Sequence, residues 1–135
     1  MKLSIIIPVF NESTTVNEII AKVRNVNLGT INSREIILVD DGSTDGTVEL
    51  LKSYETDKDI KLCLQNHNMG KGAAVRKGIE ISSGDICIIQ DADLEYNPEQ
   101  FPRLLDPILS DQADVVYGSR FSGGDAHRVL FFWHS

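Results

Sequence analysis

The chain has 135 residues, of which 41% are hydrophobic and 24% charged, and these proportions are typical of one soluble globular domain spanning residues 1–135. The formal net charge of −7 argues against a nucleic-acid groove, because binding a phosphate backbone requires clustered Lys and Arg. No stretch approaches the roughly 20 apolar residues of a membrane-spanning helix. The short apolar run at the N-terminus is bounded by Lys2 and Pro8, unlike that of a signal peptide.

Short apolar runs rich in Ile and Val alternate along the chain with segments of helical periodicity. The runs predict strands at residues 3–9, 35–39, 60–64, 86–89 and 115–117. The segments between them predict helices at about 15–26, 47–54, 72–82 and 97–108. Thr15 and Glu18 have the spacing of a capping box, and Asn97 and Pro98 suit the start of the last helix. The alternation predicts an α/β fold, a single Rossmann-like domain with a mainly parallel central sheet flanked by helices.

Polar clusters follow three of the predicted strands, at the point where each strand ends. These clusters are Asn11-Glu12, Asp40-Asp41-Gly42-Ser43 and Gln90-Asp91-Ala92-Asp93. In open α/β sheets, ligands bind in the crevice outside the carboxyl ends of the strands. The three clusters therefore predict one binding site at that edge of the sheet.

The Asp-Ala-Asp tripeptide after the fourth predicted strand is the strongest candidate for metal binding. In an extended segment the side chains of residues i and i+2 point to the same side, so Asp91 and Asp93 would emerge together. Two carboxylates with open remaining positions suit Mg²⁺ or Mn²⁺ shared with substrate phosphates. Glu95 adds a third ligand if the extended geometry continues. The alternative is that the tripeptide only caps a turn.

Two further segments are candidates for ligand contact. A carboxylate at a strand end can accept hydrogen bonds from a base edge or a ribose hydroxyl. A strand-to-helix turn accounts for residues 42–46, with helix-capping side chains at 43–45, but not for Asp40 and Asp41, and we favour Asp41 as the contact. Lys71 stands between glycines at a predicted helix start, where backbone N–H groups favour an anion. Neither a P-loop nor a Gly-x-Gly-x-x-Gly pattern is present.

Five motifs follow one another along the chain. They are Ile5-Ile-Ile-Pro-Val-Phe-Asn-Glu12, Val39-Asp-Asp-Gly-Ser-Thr-Asp-Gly46, Asn68-Met-Gly-Lys-Gly72, Asp91-Ala-Asp93 and Gly118-Ser-Arg120. In this order they resemble the family-2 inverting glycosyltransferases of the GT-A fold, and among these the dolichol-phosphate (polyprenyl-phosphate) mannose or glucose synthases. The resemblance implies a nucleotide-binding set of Pro8, Phe10, Glu12, Asp41, Lys71, Asp91 and Ala92. It implies metal ligands in Asp91, Asp93 and Glu95, and a catalytic set of Asp91, Asp93 and Arg120.

The resemblance also implies a reaction. A hexose would move from a UDP- or GDP-sugar to an acceptor, expected to be a polyprenyl (dolichyl) phosphate, with Mg²⁺ or Mn²⁺ on the diphosphate and with inversion. Arg120 would face the acceptor phosphate or the sugar donor. A lipid phosphate is already ionised at pH 7 and needs no general base, whereas a sugar hydroxyl would need a carboxylate base that these residues do not identify.

The end of the chain departs from the pattern of such enzymes, which normally continue past the Gly118 motif. We therefore expect a C-terminally truncated chain. The aromatic, apolar segment 129–135 is expected to begin an interfacial helix, or a helix packed on the sheet edge. This tail makes homo-oligomerisation a further expectation. Cys63 and Cys87 are expected to be reduced thiols in a cytoplasmic protein, with peripheral association at the cytoplasmic membrane face in the full-length protein.

Three alternatives stay open at this point. The chain could be a non-catalytic nucleotide-sugar-binding fragment that keeps the pocket without turnover. A receiver-type signalling domain shares the doubly wound sheet, but it requires an Asp after the third strand and a Lys after the fifth, and both are missing. A nucleotidyltransferase would require a glycine-rich, basic loop where Asn11-Glu12-Ser13 stands.

Overall fold

A computed structural model describes residues 1–93, 98–100, 115–118 and 129–133 of the chain. The strands are β1 (Lys2–Val9), β2 (Ser33–Asp40), β3 (Ile60–Leu64), β4 (Ile86–Ile89), β5 (Val115–Gly118) and β6 (Val129–Trp133). The helices are α1 (Val16–Asn25), α2 (Thr47–Lys52) and α3 (Lys71–Ile81), with a 3₁₀ turn at Pro98–Gln100. The bounds of β3 and β4 are those predicted, β1 and β5 each extend one residue beyond the prediction, and β2 begins two residues earlier and ends one residue later.

The described strands form one sheet in the order β3-β2-β1-β4-β6-β5. Strand β1 lies at its centre and pairs in parallel with β2 and β4, while β2 pairs in parallel with β3. Strand β6 runs antiparallel between β4 and β5. The prediction of a mainly parallel, Rossmann-like sheet is confirmed, and the first four strands all end at the same edge of it.

The structure corrects two local predictions. Segment 129–133 is strand β6, paired with Ile86–Ile89 on one side and Val115–Gly118 on the other, so the expected helix is wrong. Its β-branched and aromatic residues favour a strand, and β4 offers the edge on which it pairs. The capping box is also wrong, because Thr15 makes no side-chain bond to the start of α1. The body of the predicted fourth helix, beyond Pro98–Gln100, lies outside the described residues.

Alternate residues of each strand pack on opposite faces of the sheet. On one face, Ile5 and Ile7 join the apolar stripe of α1 in a continuous core. On the other face, Ile6 lies beneath α3, where Ala74 is buried. A Cβ atom on Gly78 would lie 2.4 Å from Ile6 Cγ2, so this glycine allows α3 to approach the sheet closely. That close approach holds the first turn of α3 over the C-terminal edge of β1.

The opposite, N-terminal edge of the sheet buries a carboxylate. Glu35 is 4% exposed and accepts hydrogen bonds from Ser4 Oγ at 2.5 Å and from the Ser83 N–H at 2.6 Å. Lys61 Nζ lies 3.0 Å from its other oxygen. Burial alone would raise the pKa of Glu35, but bonds from Ser4, Ser83 and Lys61 outweigh it and lower the pKa to about 2. This carboxylate is fully partnered within the protein.

Candidate functional site

The loops after β1 and β2 are held together by hydrogen bonds at the C-terminal edge of the sheet. Asn11 has a left-handed backbone, with φ of 51°, which Asn tolerates better than most residues. Its N–H donates to Ser43 Oγ at 2.9 Å, and its side-chain oxygen accepts from the Thr44 N–H at 2.8 Å. The Asp41 N–H donates to the Val9 carbonyl at 2.8 Å. The two loops therefore form one rigid unit.

The two acidic residues after β2 have different roles. Asp40 is buried and accepts bonds from the N–H groups of Gly42 and Ser43 at 3.1 and 3.0 Å, so it closes the turn that it begins. Asp41 reaches the next loop instead, accepting from the N–H groups of Met69 and Gly70 at 2.7 and 3.0 Å. Each carboxylate oxygen has two lone pairs, so Asp41 keeps acceptor capacity for a ligand.

Gly42 is required for the close approach of the loops after β2 and β3. Its φ is 80°, and a Cβ atom there would lie 2.7 Å from both Asn68 N and the carbonyl carbon of His67. The helix-capping residue of α2 is Gly46 rather than a side chain at 43–45, although Asp45 does accept a bond from the Thr47 N–H at 3.0 Å.

Thr15 connects the first acidic cluster to the Asp-Ala-Asp segment. Its hydroxyl lies 2.9 Å from the Ala92 carbonyl oxygen and 3.1 Å from Glu12 Oε2. Burial raises the pKa of Glu12, and the charges of Asp93, Asp45 and Asp91 raise it further against the lowering effect of the Thr15 bond. Burial thus disfavours the ionised form of Glu12, and three neighbouring carboxylates add to this effect. A cation bound here would stabilise that ionised form.

An ion pair joins α3 to the Asp-Ala-Asp segment. Lys71 is the first residue of α3, and its ammonium contacts Asp91 Oδ1. The side chain of Asp91 is 12% exposed, whereas that of Lys71 is 53% exposed. The ammonium thus approaches a buried carboxylate from the solvent side.

These groups surround an open pocket of about 440 Å³ outside the carboxyl ends of β1, β2 and β4. The lining residues are Pro8, Val9, Phe10, Glu12, Asp41, Asn68, Gly70, Lys71, Ala74, Asp91, Ala92 and Asp93. All seven residues predicted to bind the nucleotide are among them, together with Asp93. The other four lining residues are Val9, Asn68, Gly70 and Ala74, and the first three belong to motifs of the family resemblance without being predicted as contacts. Two positional signals could have identified Val9 and Ala74 as lining residues. Val9 is the last residue of the predicted first strand, and Ala74 lies one helical turn after Lys71.

The described part of the predicted metal site offers two carboxylates, Asp91 and Asp93. No group of three His, Cys, Asp or Glu side chains converges within residues 1–93 and 98–100. Two hard oxygen ligands fit a divalent cation that takes its remaining ligands from water and a diphosphate. Glu95 and Arg120, predicted as a metal ligand and a catalytic residue, lie outside the described residues.

An open α/β sheet with a polar pocket at its strand ends is typical of nucleotide-dependent enzymes. Residues 4–130 match the family described as Glycosyl transferase family 2, and the chain belongs to this family. The predicted resemblance is confirmed, and family membership excludes the receiver-type and nucleotidyltransferase alternatives.

Two curated relatives carry names that describe polyprenyl-phosphate transferases. The dolichol-phosphate mannosyltransferase of Pyrococcus furiosus is 34% identical over 133 residues, which is 98% of this chain and 37% of that protein. The undecaprenyl-phosphate 4-deoxy-4-formamido-L-arabinose transferase of Salmonella choleraesuis is 41% identical over 106 residues, which is 77% of this chain and 32% of that protein. The chain thus spans about a third of the length of these relatives.

A solved structure agrees with the fold. Glucosyl-3-phosphoglycerate synthase from Mycobacterium tuberculosis, in complex with Mn²⁺, UDP and glucosyl-3-phosphoglycerate, matches with a TM-score of 0.64 at 26% identity. The match covers 81% of this chain and 40% of that one. The GT-A fold is therefore confirmed. In the part of the chain that the structure describes, no helix has the length and apolar character that crossing a bilayer requires.

Proposed function

We propose that this chain forms the donor-binding part of an inverting glycosyltransferase that moves a hexose from a UDP- or GDP-sugar to a polyprenyl phosphate. The observation that carries the proposal is the pocket itself, in which four carboxylates, a lysine and an aromatic ring converge. Family membership supports the reaction class, and the names of the two curated relatives support the lipid-phosphate acceptor.

The part of the pocket lined by Pro8, Phe10, Glu12 and Asp41 is the proposed nucleoside site. Phe10 is 43% exposed at its mouth, where a base can stack on the ring. Pro8, in the wall formed by β1, lies one residue before the end of that strand. Glu12 and Asp41 offer oxygen acceptors for ribose hydroxyls and for a base N–H. Because Asp41 is already fixed by two backbone N–H groups, it is preorganised to accept from a ligand.

The part lined by Lys71, Asp91, Ala92 and Asp93 is the proposed diphosphate site. Asp91 and Asp93 would hold Mg²⁺ or Mn²⁺, with Glu95 as a third ligand. The metal, when bound, neutralises the diphosphate and so makes it a better leaving group. The Ala92 carbonyl accepts a hydrogen bond from Thr15, which fixes the backbone of this segment. The small side chain of Ala92 leaves room for the phosphates beside it. Lys71 adds a second positive charge, and Arg120 is the proposed contact to the acceptor phosphate or the sugar donor.

An ionised lipid phosphate would attack the anomeric carbon from the face opposite the departing diphosphate. Its oxygen needs no proton removed at pH 7, so no side chain has to act as general base. Such an acceptor resides in a bilayer, and we propose that the full-length protein works at the cytoplasmic face of the membrane.

Calorimetric titration tests the donor site. UDP, GDP and their glucose and mannose conjugates are titrated with Mn²⁺ and again with EDTA. Binding of one nucleotide is expected with Mn²⁺, and it should weaken at least tenfold with EDTA and in Asp93→Ala. Asp85→Ala, an exposed carboxylate at the other edge of the sheet, serves as the control and should bind as the unmodified chain does.

Absence of binding by a folded sample contradicts the proposal. Product formation from a bound donor and a short-chain polyprenyl phosphate separates an enzyme from a non-catalytic binding fragment. If the full-length protein also binds the donor and forms no product, a non-catalytic nucleotide-sugar-binding role is favoured.

A further inference from the structure

Lys71 has an unusual position among the charges of the pocket. Among the described residues that line it, Lys71 is the single cation, whereas four carboxylates share the lining. The carboxylates are those of Glu12, Asp41, Asp91 and Asp93. The ammonium lies against Asp91, which is one of the two carboxylates proposed to hold the metal.

A divalent cation on Asp91 would compete with this ammonium. Two positive charges a few ångströms apart repel each other, and the metal could take Asp91 fully only if Lys71 withdrew. Lys71 can withdraw, because its side chain is 53% exposed and ends in a flexible four-carbon stem. A diphosphate entering with the metal supplies a new anionic partner for the ammonium.

We infer that Lys71 is the internal counter-ion of Asp91 in the donor-free protein and moves to the diphosphate when metal and nucleotide bind together. This inference rests on the proposed function and adds to it an energetic coupling between metal binding and nucleotide binding. The ion pair makes the binding of metal alone unfavourable, and nucleotide binding removes that penalty. Metal and nucleotide therefore bind with positive cooperativity, which must be reciprocal.

The test replaces the ammonium by an apolar side chain of similar length in Lys71→Met. Mn²⁺ alone is titrated first, with free Mn²⁺ followed by electron paramagnetic resonance, and UDP and GDP are then titrated at saturating Mn²⁺. The variant is expected to bind Mn²⁺ alone about threefold to tenfold more tightly, and the nucleoside diphosphate about tenfold more weakly. Lys77→Met removes an exposed lysine from the same helix, where the ammonium lies 3.8 Å from Glu80, and should change neither affinity.

In Lys71→Met the affinity for Mn²⁺ should rise while the affinity for the nucleotide falls, and this opposition distinguishes a counter-ion from a general structural role. A variant that is merely misfolded would lose affinity for both ligands, and that outcome, or an unchanged Mn²⁺ affinity, overturns the role of Lys71. If the unmodified chain binds UDP or GDP with Mn²⁺ while Lys71→Met shows no opposed change, the proposed function stands and only the counter-ion inference fails. If the unmodified chain binds neither nucleotide, the proposed function fails and this inference fails with it.

Discussion

Two glutamates at opposite edges of the sheet, Glu35 and Glu12, have pKa values that their surroundings shift in opposite directions. At the N-terminal edge, Glu35 is surrounded by hydroxyl, N–H and ammonium donors that lower its pKa to about 2. At the C-terminal edge, burial and neighbouring negative charges raise the pKa of Glu12. The sheet thus carries at one edge a glutamate whose ionised form is stabilised by donors, and at the other a glutamate whose ionised form is disfavoured by burial and by nearby Asp residues. The difference teaches that a carboxylate with a raised pKa, such as that of Glu12 in the pocket lining, marks a binding site better than acidity alone does.

The largest expected effect is on stability, at the N-terminal edge. Glu35→Ala leaves the Ser83 N–H and the Lys61 ammonium without their buried acceptor, and it should lower the free energy of unfolding by about 3–5 kcal/mol. Urea unfolding measures this. Glu80→Ala, which removes an exposed carboxylate from α3, should change stability by less than about 0.5 kcal/mol. Equal losses in the two variants would contradict the special role of Glu35.

The same carboxylate predicts how stability depends on pH. The folded pKa of Glu35 is about 2, below its ordinary value of 4.5, so its contribution is complete above pH 4.5 and is lost as the pH falls toward 2. The loss amounts to roughly 3 kcal/mol. Unfolding free energies at several pH values between 2 and 6 should fall more steeply for the unmodified chain than for Glu35→Gln. Parallel curves would show that Glu35 is not the group responsible.

At the C-terminal edge the expected effect falls on binding instead. Asp93→Asn should weaken Mn²⁺-dependent nucleotide binding by at least tenfold, or more than about 1.4 kcal/mol. Its stability should stay within about 1 kcal/mol of the unmodified chain, because the substitution also removes a charge that raises the pKa of Glu12. Calorimetry and urea unfolding on one sample separate the two quantities. If Asp93→Asn loses much stability but still binds the nucleotide, Asp93 stabilises the fold rather than the ligand, which contradicts the contrast between the two edges.

The smallest expected effect comes from Thr15, which links the two acidic segments. Thr15→Val keeps the shape of the side chain but removes the hydroxyl that contacts Glu12 and the Ala92 carbonyl. Nucleotide affinity in Mn²⁺ should fall about threefold to tenfold, the value of one hydrogen bond. Thr15→Ser restores the hydroxyl and should restore most of the affinity. If Ser and Val bind equally weakly, the methyl group rather than the hydroxyl is what matters.

The central strands and the acidic clusters at their ends follow from local patterns, whereas Pro8, Phe10 and Ala92 were predicted only through the family resemblance. Strand Ile86–Ile89 is a continuous apolar run, and the polar residues directly after it must lie at the sheet edge. Contacts between distant segments could not be predicted this way. The spacing of Thr15 and Glu18 predicts a capping box, whereas the Thr15 hydroxyl donates to the Ala92 carbonyl, 77 residues away.

Segment 129–133 shows the same limit. A short aromatic and apolar run has no period that separates a strand from a helix, and its partner β4 lies about 40 residues earlier in the chain. The ion pair between Lys71 and Asp91 was likewise invisible in the sequence, although both residues were predicted to belong to the nucleotide site.

One measurement would place the metal and the nucleotide together. Crystals grown with Mn²⁺ and the nucleotide that binds best can be examined by anomalous scattering at the manganese edge. We expect one strong peak within coordination distance of Asp91 or Asp93 and of the diphosphate, with the base in the part of the pocket lined by Phe10 and Asp41. A manganese peak remote from these carboxylates, or a nucleotide bound outside this pocket, would contradict the assignment of the C-terminal edge as the donor site.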